Sequence, residues 1–162
     1  MTTNRVLATV LVLISAAACN TFNRGQAVRM STQDTELNTR WHASLVSPAS
    51  LAGAVQMSGS ASMAPADDSM RTVVALSLAN AAPGGLHPWE ARLGQCGMTT
   101  DYGVFGVSDE YGTMKIDSDG NAIGSVTVSR PTPVSGDYFV AVYASDANRM
   151  VVACGNLAPP AE

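Results

Sequence analysis

The chain of 162 residues is poor in charge, in aromatic side chains and in the residues that usually bind metals. Charged residues make up 14% and aromatic residues 6% of the sequence, which holds two histidines and three cysteines. The nine basic residues are scattered and the formal net charge is −4, so the sequence lacks the basic surface that nucleic acid binding requires. Nucleic acid is therefore not an expected partner.

Sustained helical periodicity is also missing. After Asn38 no segment keeps an apolar helical stripe for three turns, which argues against parallel βαβ units. Short runs of alternating apolar and polar residues, separated by Pro, Gly and Asp-rich breakers, predict an all-β domain with antiparallel strands in a sandwich or barrel. The strands predicted in this way are Arg40 to Val46, Ala54 to Met63, Thr72 to Leu78, Trp89 to Leu93, Ala122 to Val128 and Tyr138 to Ala144.

The first 18 residues have the layout of a secretory signal. Arg5 precedes an apolar run from Val6 to Ile14, and small residues then lead into Cys19. The run is too short to cross a hydrocarbon core of ~30 Å, which favours a cleaved signal over a permanent anchor. The sequence thus predicts a signal peptide over residues 1–18, a polar tether over 19–38 and one domain over 39–162.

Cys19 is the predicted lipid-attachment site, because small residues directly before a cysteine resemble the lipobox of bacterial lipoproteins. The alternative is ordinary signal peptidase cleavage, since residues 16–18 also read as an A-x-A site and cleavage there would leave a free thiol. The cysteine count favours lipidation, which leaves Cys96 and Cys154 as a disulfide pair. Asn20 then suggests an outer-membrane lipoprotein that faces the periplasm or the surface, held to the membrane by its lipid.

Two segments resemble the copper/zinc superoxide dismutase superfamily. They are residues 81–97, AAPGGLHPWEARLGQCG, and residues 150–157, MVVACGNL. Residues 116–122, IDSDGNA, are similar to the family's Asp-x-Asp-Gly hairpin, and residues 137–144, DYFVAVYA, stand where it has its penultimate strand. The resemblance covers residues 40 to 158 and implies a Greek-key β-barrel of about eight antiparallel strands. It also implies the Cys96 to Cys154 disulfide.

At the positions where the family has its metal ligands, this sequence has other residues. Glu90 and Arg92 stand in place of its His-x-His copper pair, Tyr143 replaces the histidine of the penultimate strand, and residues 98–115 contain no histidine for zinc. Arg149, two positions before the place of the family's guiding arginine, is expected on the same strand face, within reach of that side. No metal cofactor is therefore expected.

Glu90 and Arg92 share a strand face and are expected to form a charge-assisted pair. One interpretation is a structural ion pair that fills the former metal site; the other adds Tyr143 to make a polar pocket for a small ligand. The predicted function is a non-catalytic binding or structural protein of the cell envelope, with a small molecule or an envelope protein as partner. The alternative is a divergent copper-dependent dismutase that uses His42, His87 and a methionine.

Overall fold

The protein is described by a computed structural model that covers residues 40–53, 56–100 and 102–160. The predicted signal peptide, Cys19 and the tether lie outside these residues. Within them, two short 3-10 helices span Ala49–Leu51 and Ser108–Glu110, and neither these nor any other described segment forms an apolar helix long enough to cross a membrane. The eight strands are β1 Trp41–Val46, β2 Ser58–Pro65, β3 Thr72–Ala79, β4 Leu86–Leu93, β5 Thr113–Lys115, β6 Ala122–Val128, β7 Tyr138–Tyr143 and β8 Val151–Leu157.

All strand pairs are antiparallel, in the spatial order β5-β4-β7-β8-β1-β2-β3-β6, and the sheet forms a nearly closed barrel. Alternate side chains turn inward, as the period of two in a strand requires. In β1, for example, Trp41, Ala43 and Leu45 are buried whereas His42 and Val46 are exposed. The predicted all-β class with antiparallel strands is confirmed.

Aromatic side chains fill much of the barrel interior. Trp41, Trp89 and Phe105 are each no more than 2% exposed, and Tyr138 meets both Trp41 and Phe105 edge to face, with ring centroids 5.6 and 5.5 Å apart. Trp89 makes the same kind of contact with Tyr111 at 5.3 Å. Such pairs add specific geometry to the hydrophobic burial, which helps to fix the strands that carry the site.

The observed strands differ from the six predicted from alternation mainly in the bounds of β2 and β4, and β5 and β8 were not among those six. The second predicted strand begins at Ser58 rather than at position 54, and the fourth begins three residues early, at Leu86. Pro88 lies within β4 at the point where the strand changes partner from β5 to β7, so its missing N–H is tolerated. The three-residue strand β5 was not predicted, because so short a segment shows no alternation.

A disulfide fixes the loop that follows β4. Cys96 is bonded to Cys154 of β8, which confirms the predicted pair, and the backbone N–H of Cys96 donates to Oδ1 of Asn156 over 2.7 Å. The chain then returns alongside β4, where the N–H of Phe105 donates to the carbonyl of Ala91. Residues 94–100 are therefore held against the outer face of the sheet.

Candidate functional site

Four polar side chains meet on the outer face of the sheet where β4 and β7 run side by side. They are Glu90 and Arg92 of β4, Tyr143 at the end of β7, and Arg149 from the turn before β8. We call these four residues the Glu90 cluster. The three positions that the resemblance singled out, Glu90, Arg92 and Tyr143, are thus brought together, and Arg149 joins them.

The strand register explains why the cluster forms. Glu90 is opposite Ala141 and Arg92 is opposite Phe139, so both β4 side chains lie on the face that is opposite to the core residues Trp89 and Ala91. Tyr143 follows two residues after Ala141 and lies on the same face of β7. The pairing of β7 with β8 is irregular between Val142 and Tyr143. Alternation along both strands therefore directs the three side chains to one side of the sheet.

Both carboxylate oxygens of Glu90 accept hydrogen bonds from guanidinium groups. Nη1 of Arg92 donates to Oε2 over 2.8 Å, and Nη2 of Arg149 donates to Oε1 over 2.7 Å. The hydroxyl of Tyr143 lies 3.2 Å from Oε2 of Glu90 and donates to it, and it accepts from Nη1 of Arg92 at the same distance. Because these are mostly charge-assisted bonds, the cluster is rigid.

Arg149 also stacks on Tyr143, with its guanidinium carbon 3.9 Å from the ring centroid. It was expected on the β8 strand face, but β8 begins only at Val151, so Arg149 lies in the preceding turn. That expectation was wrong because the turn from residue 144 to 150 folds back over the sheet instead of extending the strand. The side chain nevertheless reaches the expected side of the sheet, where it bonds to Glu90, a contact that was not predicted.

The pKa values of Glu90 and Tyr143 are shifted in opposite directions. Burial would raise the pKa of Glu90, but the hydrogen bonds and charge of Arg149, together with hydrogen bonds from Arg92 and Ser108, outweigh it and hold this pKa below its usual value. Burial, with the charge of Glu90, raises the pKa of the Tyr143 phenol. At neutral pH the cluster therefore consists of two guanidiniums, one carboxylate and one neutral phenol.

This arrangement does not suit a copper or zinc ion. The oxygens of Glu90 are occupied by guanidinium donors, and the positive charges of Arg92 and Arg149 oppose the approach of a cation. Imidazole ligands, which copper in redox sites needs, are not found in the Glu90 cluster. Across the described residues, moreover, no three His, Cys, Asp or Glu side chains lie close enough together to hold a metal.

The two histidines occupy different surroundings. His87 is 8% exposed and its Nδ1 lies 2.8 Å from the carbonyl oxygen of Tyr143, a contact typical of a buried structural histidine. His42 is exposed on β1, where its backbone pairs with Ala158. Two methionines whose thioethers could bind copper differ in burial: Met63 is fully buried in the core, and Met70 is 68% exposed.

A groove of about 520 Å³ opens beside the Glu90 cluster. Its floor is the outer face of β4, β7 and β8, and its wall is the disulfide-linked loop. Arg92, Tyr143 and Arg149 reach it from one side, while Thr99 and Thr100 approach from the loop. The volume lies within the range of small-molecule sites, roughly 300 to 1,000 Å³. A pocket at these side chains was one of two interpretations of the sequence, but the wall of the groove was not predicted, because it depends on how the loop folds back.

A smaller recess of about 290 Å³ lies on the other side of Arg149. Its lining includes Glu90, Ser108 and Asp146. The two concavities therefore differ in charge: the recess contains carboxylates, and the described lining of the groove carries arginines without a carboxylate.

The comparisons with known proteins add no family assignment: the chain matches no protein-family model and no curated protein.

Proposed function

We propose that this chain is an exported lipoprotein of the cell envelope whose superoxide dismutase-like barrel has lost its metal ligands and acts as a non-catalytic binding protein. Lipid attached to Cys19 would hold it in the outer membrane, with the barrel carried on the tether. The ligand would be a small molecule in the groove, or an envelope protein would bind the barrel as a partner.

Two features of the barrel support the family resemblance. The spatial order places β6 beside β3 and β7 beside β4, so strands that are not consecutive in the chain are neighbours, and this supports the proposed Greek-key arrangement. The disulfide joins the loop after β4 to the last strand, where the resemblance expects it. Fold resemblance does not determine function, so the functional proposal depends on the site.

The observation that carries the proposal is that an ion-paired cluster stands where the resemblance expects imidazole ligands. Glu90 is 3% exposed and fully hydrogen-bonded, and no buried side-chain polar atom among the described residues lacks a partner. A site that has lost its metal chemistry but retains an adjoining groove is suited to binding rather than to catalysis.

Metal analysis tests this proposal directly. The full chain is purified after expression with added copper and zinc, and its metal content and its rate of superoxide dismutation are measured. We expect less than stoichiometric metal and no turnover above that of protein-free buffer, because guanidiniums occupy the candidate ligands. One tightly bound copper per chain with dismutation would refute the non-catalytic function and direct attention to His42, His87 and the methionines.

Lipidation at Cys19 is tested separately. We expect the wild-type chain to incorporate a fatty-acid label and to sediment with outer membranes, whereas Cys19→Ser should lose the label and leave the membrane fraction. Cys19 is not one of the two cysteines of the disulfide, so the variant should retain the bond between Cys96 and Cys154, which a thiol assay checks. Membrane association of Cys19→Ser equal to that of the wild type, without label in either, would contradict the lipid anchor.

A further inference from the structure

We infer that the chain forms a weak, two-fold symmetric dimer through the outer face of strands β1, β2, β3 and β6. We call this surface the serine-rich face. It consists of the outward-pointing residues of these strands, which are every second residue from His42, Ser58, Val73 and Ile123 onward. None of them lines the groove or the recess beside the Glu90 cluster.

The strand register aligns these residues in rows across the sheet. Ser44 of β1 is opposite Ser60 of β2, Ser60 is opposite Ser77 of β3, and Ser77 is opposite Ile123 of β6. The next row consists of His42, Ser62, Ala75 and Ser125. Most of these side chains are short and neighbouring strands are about 4.8 Å apart, so a second sheet can approach the face closely.

Charge is missing from this face. Within the four strands, all of which the structure describes, no outward side chain is an Asp, Glu, Lys or Arg. A solvent-exposed surface usually carries about 25–35% of these residues, whereas the centre of a protein interface is depleted in them. The nearest exposed ion pair on these strands, Asp68 with Arg71, lies in the turn between β2 and β3. The lack of charge is therefore typical of a surface that another surface covers.

A second copy of the chain is the partner that this face fits. In a two-fold contact, residues near the axis meet their own counterparts, so a charge there would be repelled by its copy, and an uncharged face avoids this repulsion. A serine hydroxyl both donates and accepts, so serines can pair with serines across the axis. Ser60 and Ser77 already form such a pair within one chain, with 3.1 Å between their oxygens.

The exposed apolar side chains at the two edges of the face indicate where the axis lies. Ile123 on β6 is 84% exposed and Val46 on β1 is 59% exposed. β1 and β6 are the outermost of the four strands. An axis parallel to the strands, between β2 and β3, places β6 of one copy over β1 of the other, with the strands of the two sheets aligned as in a sandwich. Ile123 then meets the end of β1 that carries Val46, and both leave water.

The size of the face predicts weak association. Four strands about 4.8 Å apart, each about seven residues long at about 3.3 Å per residue, cover about 440 Å². Two copies together would bury about 900 Å², which is less than the roughly 1,200–2,000 Å² of stable complexes and is typical of transient ones. We therefore expect a reversible dimer in equilibrium with the monomer.

Photo-crosslinking in intact cells identifies what covers the face. The full chain is expressed with p-benzoylphenylalanine in place of Ile123 and illuminated, and the products are analysed by gel electrophoresis and mass spectrometry. We expect an adduct of two copies, in which position 123 of one is joined to β1 of the other. The same replacement of Val134 is the matched control, because Val134 is also apolar and is 94% exposed, but it lies in the loop after β6. This control should lack the adduct.

Charge substitutions at Ser77, which is exposed beside the inferred axis, test the symmetry. Ser77→Glu and Ser77→Lys should each lose the adduct when expressed alone, because like charges meet across the axis. Their co-expression should restore it, because opposite charges attract. Since the position is exposed, both variants should unfold at the urea concentration of the wild type. Adducts only with lipid or with a different protein, an adduct that persists in Ser77→Glu, or no recovery on co-expression would overturn the inference.

Discussion

Replacement of both Cys96 and Cys154 with alanine is expected to lower the free energy of unfolding by about 4 kcal/mol, the largest effect of any change considered for this barrel. The two cysteines are 58 positions apart. By the chain-entropy model, a crosslink that closes a loop of this length stabilises the folded state by about 4 kcal/mol, because it restricts the unfolded chain. Urea denaturation followed by tryptophan fluorescence measures the loss.

Reduction of the wild type provides the control for this prediction. The reduced wild type should unfold at the same urea concentration as the double variant, and a reducing agent should leave the double variant unchanged. Loss of the crosslink also releases the wall of the groove, which then depends on the hydrogen bond from Cys96 to Asn156 and its neighbours. If the oxidised and reduced wild type unfold at one urea concentration, the stabilising role of the disulfide is wrong.

Glu90→Gln is expected to lower the free energy of unfolding by about 3 kcal/mol. Removal of one partner from a buried ion pair leaves an uncompensated charge and costs about 3–5 kcal/mol. The lower end applies because Arg149 is 47% exposed and can be hydrated, so only Arg92, which is 14% exposed, is left as a largely buried charge. The measurement is chemical denaturation at neutral pH.

Asp68→Asn is the matched control for Glu90→Gln. It also removes a carboxylate from an arginine, Arg71, but this pair lies in an exposed turn, with side chains 52% and 42% exposed. Exposed pairs contribute about 1 kcal/mol or less, so this variant should unfold almost like the wild type. Equal effects of the two substitutions would show that the Glu90 cluster contributes no more than a surface ion pair.

The contribution of Glu90 should also depend on pH. Its pKa in the folded state lies below the ordinary value of 4.5, so the folded protein holds the carboxylate charged more strongly than the unfolded chain does. The stabilisation is therefore fully present above the unfolded pKa and is lost as the pH falls through the folded pKa. The stability difference between the wild type and Glu90→Gln should be constant above about pH 5 and should shrink on acidification.

Regular alternation made most of the barrel predictable. Strands β1, β3 and β6 follow it closely, as in β1, where Trp41 and Leu45 are buried and their neighbours are exposed. β7 does not, because its last four residues are all buried. β4 does not alternate either, because the five consecutive residues from His87 to Ala91 are all buried, on both faces of the strand. The loop that covers its outer face buries Glu90, and no local pattern in β4 indicates that cover.

The candidate site, like the fold, could be predicted from the sequence only in part. The pairing of Cys96 with Cys154 followed from counting cysteines, and Glu90 and Arg92 could be placed on one face from their spacing alone. Arg149 was expected to reach this side of the sheet, but neither its hydrogen bond to Glu90 nor its position in a turn was predicted. Contacts between residues about 60 positions apart depend on how loops pack, which alternation along a strand does not encode.

By itself the sequence determined the all-β class, the antiparallel strands and the disulfide, because each follows from local periodicity or from the number of cysteines. Only the tertiary structure decided which side of the sheet the loop after β4 covers. Glu90 is buried between Arg92 of its own strand and Arg149 of a distant turn, and the groove lies beside them. The physical reason is long-range packing: the disulfide and the turn before β8 bring together side chains that no short stretch of sequence relates.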